Sequence, residues 1–275
     1  MALNDIFSMQ PYLVTSMHYF YLSKSCWNHN QENMKVYYEE FSNHEQDVII
    51  DILPDGFSTI CFEIGPHRCT AIYFGKTPKQ KTVYYQKGYT YFTVKIPPNY
   101  ILPDTIDPIK TYQNKVTRLT KFTHAFDEFN YDNLYALSFQ DKITYFQTYT
   151  ASHLDLMVDP LIDYVVTRSI ENQETVFIDT IAQELEISSR YIRKVFSEKV
   201  GISPKRTIQS IRFQNVLSGL IDDKKGITET SLDAAFFDHP HLNKFFKEHA
   251  NRSPSDVQLF LSQKRTQRHN KNESR

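Results

Sequence analysis

Between Ile181 and Phe196 the apolar positions fall at Ile181, Leu185 and Ile187, then at Ile192, Val195 and Phe196. That spacing predicts two short helices meeting in a turn around Ile187 and Ser188, a helix-turn-helix. Ser188 stands where an N-cap would open the second helix, which then carries Arg190, Arg193 and Lys194 on the face opposite Ile192 and Phe196. The pattern recurs. Ile192-x-Lys194-x-Phe196-x-Glu198 followed by Ser203-Pro204 reappears fifty positions later as Leu242-x-Lys244-x-Phe246-x-Glu248 followed by Ser253-Pro254. Self-similarity at a fixed spacing implies two copies of one supersecondary unit. Between them, Ile208, Ile211, Phe213, Val216, Leu217 and Leu220 predict one connecting helix over 205–220. Roughly sixteen residues span about 24 Å, long enough to hold two recognition helices apart on one face of a duplex. Successive major-groove segments on one face lie about 34 Å apart, so ideal contact requires a bent duplex or tilted helices.

Upstream the pattern changes. Runs over 48–53, 59–64, 70–74 and 89–96 are rich in β-branched and aromatic residues and read as strands. Pro54-Asp55-Gly56, Gly65-Pro66, Lys87-Gly88 and Pro97-Pro98-Asn99 separate them as turns. Short strands at this spacing suggest a small barrel or sandwich. Three helices are predicted after it, over 107–119, 140–156 and 159–170, the last opened by Asp159-Pro160. The first two could pack on the barrel or pair with another subunit. The expected fold class is therefore α+β. A small N-terminal β-barrel with flanking helices occupies 1–157, an all-α domain with two helix-turn-helix units occupies 158–263, and a polar, disordered tail follows over 264–275.

A length of 275 residues suits two domains. The formal net charge of -1 says nothing about a polyanionic partner. Locally the balance is different: from Ser188 to Arg212 there are seven Lys or Arg against the single acid Glu198. A solvated helical face could carry that surplus, but within a repeated helix-turn-helix a nucleic acid is the better reading. No apolar run of about twenty residues occurs and Met1 to Gln10 lacks a signal-peptide pattern, so a cytoplasmic protein without a membrane span is expected. Cys26, Cys61 and Cys69 are odd in number and lack C-x-x-C spacing, which argues against a disulfide framework, a zinc site or an activated thiol. Neither a phosphate-binding glycine loop nor a catalytic constellation is present, so no enzyme activity and no cofactor are expected.

Over Asp159 to Gln263 the chain resembles the AraC/XylS family of bacterial transcription regulators. The resemblance rests on Ile181-Ala182, Leu185, Tyr191-Ile192-x-x-x-Phe196, Gly201-x-Ser203-Pro204 and Arg212. It continues through Phe236-x-Asp238-x-x-His241-Leu242-x-Lys244-x-Phe246-Lys247 and Ser253-Pro254. It implies a seven-helix DNA-binding domain that inserts two recognition helices into successive major grooves, with a separate N-terminal domain for sensing or dimerisation. Thr230-Ser231 replaces the usual Ile-Ala, Ala235 and Asn251 stand where glycines are common, and Pro240 opens the second recognition helix. The N-terminal region looks like the cupin-like sensor domains of the family through Leu53-Pro54-Asp55-Gly56 and Phe92 to Pro98. It has no His-x-His ligand pair in its first 150 residues, so a barrel without metal is expected.

Specific roles follow. Arg190 and Arg193 are the candidate base readers, with phosphate contact as their alternative, and Ser189 lies beside them. Lys194, Lys199, Lys205 and Arg206 are expected on phosphates. In the second unit the candidates are His239, His241, Asn243 and Lys244, with His241 as readily a structural residue. Asp238 is expected as an N-cap, and Phe196 and Phe246 as equivalent core residues. Trp27, Tyr73, Phe74, Tyr85, Tyr91 and Phe92 either line an apolar effector pocket or form ordinary barrel core. His67 and Arg68, in a turn, could meet an anionic effector or simply face solvent. The function expected is a sequence-specific regulator of transcription, an activator by family habit, controlled by a small molecule at its N-terminal domain. Its partners would be promoter DNA, RNA polymerase and a second copy of the chain. The alternative is a regulator whose N-terminal domain only dimerises or binds a partner protein.

Overall fold

The structure, a computed structural model, describes residues 8–27, 35–171, 176–221, 236 and 238–273, with backbone alone from Lys264 onward. A short helix α1 (Pro11–Ser16) precedes the strands β1 (Tyr19–Cys26), β2 (Lys35–Ser42), β3 (Val48–Ile52), β4 (Ser58–Ile64), β5 (Cys69–Phe74), β6 (Lys81–Tyr85), β7 (Thr90–Ile96), β8 (Tyr100–Ile101) and β9 (Val116–Arg118). Six of them form an antiparallel sheet in the order β1-β2-β7-β4-β5-β9, and β3 and β6 pair as a separate two-stranded sheet. The expected β-rich domain is present. Its hydrogen bonding runs through separate sheets, and among the described residues no ring of strands closes.

The large sheet divides two cores because successive side chains point to opposite faces. Ile60, Phe62, Phe92 and Val94 enter one core with Trp27, Tyr38 and Tyr73. Helix α2 (Phe139–His153), capped by Ser138, covers this face with Phe146, whose ring lies 5.3 Å from Trp27 and 6.1 Å from Phe62. A buried ion pair between Lys142 and Glu40, 2.5 Å, joins α2 to β2. This helix therefore packs on the sheet, one of the two fates open to it in the sequence. Cys61 and Tyr91 face the other way, into a core shared with Phe41, Ile50 and Tyr85.

The strand β10 (Met157–Val158) pairs with β8 and leads into α3 (Pro160–Glu171). Then come α4 (Ile178–Glu184), α5 (Ser189–Val195) with a π-helical turn over Phe196–Val200, α6 (Pro204–Ile221), α7 (His239–Ala250) and α8 (Pro254–Glu273). The first half of α6 packs Ile208 and Ile211 with α3, α4 and α5, while Ile101 of β8 joins that cluster. The second half, with Phe213, Val216 and Leu217, joins Leu242 and Phe246 of α7 and the N-terminal residues Leu13, Ile50 and Leu53 in one core. That core crosses the division expected near Met157.

Two predicted elements differ. The helix expected over 107–119 is a 3-10 turn at Ile109–Tyr112 followed by β9. Asn114 adopts a left-handed backbone, φ 59°, which stops a right-handed helix, and the β-branched Val116 and Thr117 then pair with Phe74 and Tyr73 at the edge of β5. The tail expected to be disordered from Lys264 continues α8 as far as Glu273. Its Gln, Lys and Arg residues are good helix formers, and a helix already begun extends cheaply.

Candidate nucleic-acid interface

In the first unit the turn between α4 and α5 uses Glu186 in a left-handed backbone, φ 54°. Ser188 then caps α5, its Oγ accepting from the Tyr191 N–H at 3.1 Å. The unit ends at Gly201, φ 83°, where an added Cβ would stand 3.0 Å from the Ile109 carbonyl oxygen, so the position favours glycine on both counts. In the second unit Asp238 caps α7 by accepting from the His241 N–H at 2.8 Å. Pro240 sits harmlessly in the first turn, and Asn251 closes the helix in a left-handed backbone, φ 52°. Thr230, Ser231 and Ala235 lie outside the described residues.

Ile192, Val195 and Phe196 are buried and Arg190, Arg193 and Lys194 exposed, as the helical period requires. Phe246 is buried in the second unit, where His239, His241, Asn243 and Lys244 are exposed. A groove of about 600 Å³ runs between the units, and Arg193, Lys205, His241 and Lys244 all line it. Ser189, Arg190, Lys194, Lys199, Arg206, His239 and Asn243 are outside its lining. Lys205 and Arg206 are exposed in the first turn of α6, which Ser203 caps through the Arg206 N–H at 3.4 Å.

Lys199 already has a partner within the protein. Its Nζ lies 2.6 Å from Asp159, whose carboxylate also accepts from the Leu161 N–H at 2.9 Å and so caps α3. Burial would raise the Asp159 pKa, but the bonds from Lys199 and from the backbone of Ile162 and Leu161 outweigh it and hold the carboxyl below its ordinary value. The same hydrogen bond lifts the Lys199 pKa. The ammonium expected on phosphate is engaged in fastening α3 to the end of the first unit.

Sequence reasoning missed other groove residues: Phe177, 64% exposed, Asp179, Gln209, Arg212 and Glu248. Arg212 lies with its guanidinium 4.0 Å from the Phe236 ring and 5.5 Å from the Phe245 ring. Its signal was available in α6, where Lys205, Ile208 and Arg212 recur at helical spacing on one face. Asp179 was not legible, because its partners lie on the next helix.

The N-terminal domain holds a smaller cavity, about 60 Å³, room for about two waters. Glu39, Asp55, Thr93 and Lys95 meet Phe41, Cys61 and Tyr85 in its wall. Asp55 accepts from Lys95 at 2.7 Å, from Ser8 at 2.7 Å and from Gln10 at 3.3 Å, and Glu39 accepts from Thr93 at 3.0 Å. Burial disfavours the Lys95 ammonium, but Asp55 and Glu39 outweigh it and raise its pKa. Burial pushes the Cys61 thiol up, the reverse of an activated nucleophile. Of the aromatic residues expected at an effector pocket, Tyr85 and Phe74 line this cavity. Tyr91 packs edge-on against Tyr85 at 4.9 Å. Trp27, Tyr73 and Phe92 belong to the core on the opposite face of the sheet, because strand alternation turns Phe92 away from its neighbour Tyr91. His67 and Arg68 are exposed in the β4–β5 turn, apart from the cavity lining.

Residues 181–259 match the family model described as a helix-turn-helix domain. The HTH-type transcriptional activator RhaS of Escherichia coli O1:K1 / APEC is 24% identical over 108 residues, which is 39% of this chain and 36% of the relative. RhaS of Escherichia coli strain UTI89 / UPEC matches to the same extent, so the alignment spans little more than a third of the relatives' own length. Among solved structures, ToxT from Vibrio cholerae aligns over 87% of this chain and 98% of its own, at 11% identity and a TM-score of 0.45. Residues 181–259 therefore form a helix-turn-helix domain, similar over this part of the chain to DNA-binding regulators of the AraC/XylS family.

Proposed function

We propose that the whole chain is a sequence-specific DNA-binding regulator of transcription, acting as an activator through RNA polymerase and controlled by a small molecule at its N-terminal domain. The observation that carries the DNA reading is the convergence of Arg193 and Lys205 with His241 and Lys244, from different helices and both units, on one groove. Guanidinium and ammonium groups gathered in one groove suit phosphates and base edges together. In this reading Arg190 and Arg193 contact bases, with Lys194, Lys205 and Arg206 on phosphates. His239, Asn243 and Lys244 face the second major groove. The division near Met157 separates control from DNA binding.

Effector control is supported by the cavity between the large sheet and the β3–β6 pair. Its wall is continuous with the residues that hold α6: Gln10 lines it, and the neighbouring Met9 N–H donates to Gln214 at 2.7 Å. The size of the cavity and the pairing of its charges favour a second reading, in which the N-terminal domain only dimerises or meets a protein partner. Fluorescence anisotropy with labelled promoter fragments at several salt concentrations tests the DNA reading, and a steep fall of affinity with salt is expected. Thermal denaturation of the full chain against a metabolite panel separates the two readings of the N-terminal domain. A ligand that raises Tm and shifts DNA affinity supports the effector, whereas concentration-dependent association with no responding ligand supports the second.

A further inference from the structure

Asp179 stands in the first turn of α4, 77% exposed at its side chain, on the wall of the groove between the two units. Its Oδ1 accepts from the Ser189 hydroxyl and lies 3.6 Å from an Arg193 Nη2. Ser189 and Arg193 are four residues apart on α5, hence on one face of that helix. A single carboxylate oxygen therefore ties the first residue of the recognition helix and its central arginine to the preceding helix. Among the described residues Asp179 is also the one acidic group of the first unit in the groove lining, beside Arg193 and Lys205. A carboxylate there opposes a polyanion, so its presence calls for a role other than affinity.

We propose that Asp179 is a positioning residue for base readout: it holds the Arg193 guanidinium at the groove edge and so sets which base the first unit prefers. A long side chain free to sample many rotamers meets phosphates as readily as a base edge, and an arginine held through one of its nitrogens presents the rest of its fork in a fixed direction. Asp179 thus exchanges general attraction to DNA for discrimination between sequences. In the sequence of the second unit Asn243, and not an arginine, stands fifty positions after Arg193. The first unit carries the sharper preference.

This inference rests on the DNA reading above, and one series of measurements separates their fates. The sequence preferred by the wild-type chain is first selected from a random duplex pool. Affinities of the full-length wild type, Asp179→Asn, Asp179→Glu, Arg193→Ala and the double variant Asp179→Asn/Arg193→Ala are then measured on that duplex, on its single-base substitutions and on a scrambled duplex. Asp179→Asn is expected to lower discrimination by about fivefold at the base pair where Arg193→Ala also loses it, and to leave or raise affinity for scrambled DNA. The double variant is expected to discriminate no worse than Arg193→Ala alone, and Asp179→Glu to keep most of the preference. A merely electrostatic or helix-stabilising carboxylate would instead change all sequences by one factor. Unchanged discrimination in Asp179→Asn, or an equal further loss in the Arg193→Ala background, would overturn the inference while leaving the DNA reading intact. Failure of the wild type to select any sequence would overturn both.

Discussion

Charged side chains of the first unit separate into those left exposed and those that hold the fold together. Arg190, Arg193 and Lys194 are exposed on α5, whereas Lys199, one turn beyond, spends its charge on Asp159. Arg193→Ala is expected to lower discrimination between the best and a mismatched site by about 1–3 kcal/mol, measured as the ratio of two Kd values. Lys205→Ala should weaken binding to all sequences and reduce the slope of log K against log salt by about 1, whereas Lys199→Ala should leave that slope unchanged and lower Tm. The Asp159 carboxyl is held below its ordinary pKa, so its contribution is complete above roughly pH 4 and is lost as pH falls through the lowered value. Acid unfolding of Asp159→Asn should accordingly be less steep than that of the wild type. His249 behaves in the same direction for another reason. Burial lowers its pKa and favours the neutral ring, which is 2.8 Å from the Phe245 carbonyl, so its contribution fades as pH falls below about 6.5.

At the scale of elements, the helices were legible where amphipathic period and capping chemistry agree. Ser188 and Asp238 open their helices as N-caps, as their sequence positions require, and replacing either by Ala should lower stability by about 0.5–2 kcal/mol in denaturant titrations. Gly201→Ala combines a left-handed backbone with a 3.0 Å approach to the Ile109 carbonyl and should destabilise the junction between the first unit and the 3-10 turn at Ile109–Tyr112. Strands were harder to read. β2 carries Glu39 and Glu40 in buried positions, so its polar letters hide an interior strand; β1 is only partly buried and shows little alternation, and β6 alternates only between exposed and half-buried positions before Tyr85. Buried charges that find partners, Glu40 with Lys142 and Glu39 with Thr93, exist only once the chain has folded. The candidate interface shows the same limit. Its basic residues announced themselves by charge, whereas Asp179 and Phe177 acquire meaning from neighbours on other helices.

Across the whole molecule, α6 does more than join the two helix-turn-helix units. Gln214 donates to the Pro54 carbonyl at 2.9 Å and accepts from the Met9 N–H at 2.7 Å, while Gly56 of the same turn faces Ser210. The Leu53-Pro54-Asp55-Gly56 turn, noticed in the sequence as a family-like feature, is thus where the β-rich part meets the connecting helix. Arg252, just after α7, reaches Asp51 of β3 at 3.1 Å, and the Gln80 N–H donates to the His249 carbonyl at 2.7 Å. Each half of the chain therefore stabilises the other. Phe213→Ala, in the core that both halves share, should lower stability by about 3–5 kcal/mol and should do so in one transition seen alike by far-ultraviolet dichroism and aromatic fluorescence.

Whether the two helix-turn-helix units each read a major-groove segment of one duplex is tested most directly by selection of duplexes from a random pool by the full-length chain. Recovery of a common motif with two conserved blocks about one helical turn apart, lost at one block in Arg193→Ala and weakened at the other in Lys244→Ala, is the predicted result. A selected pool with no common motif, or one whose preference survives both substitutions, would contradict it.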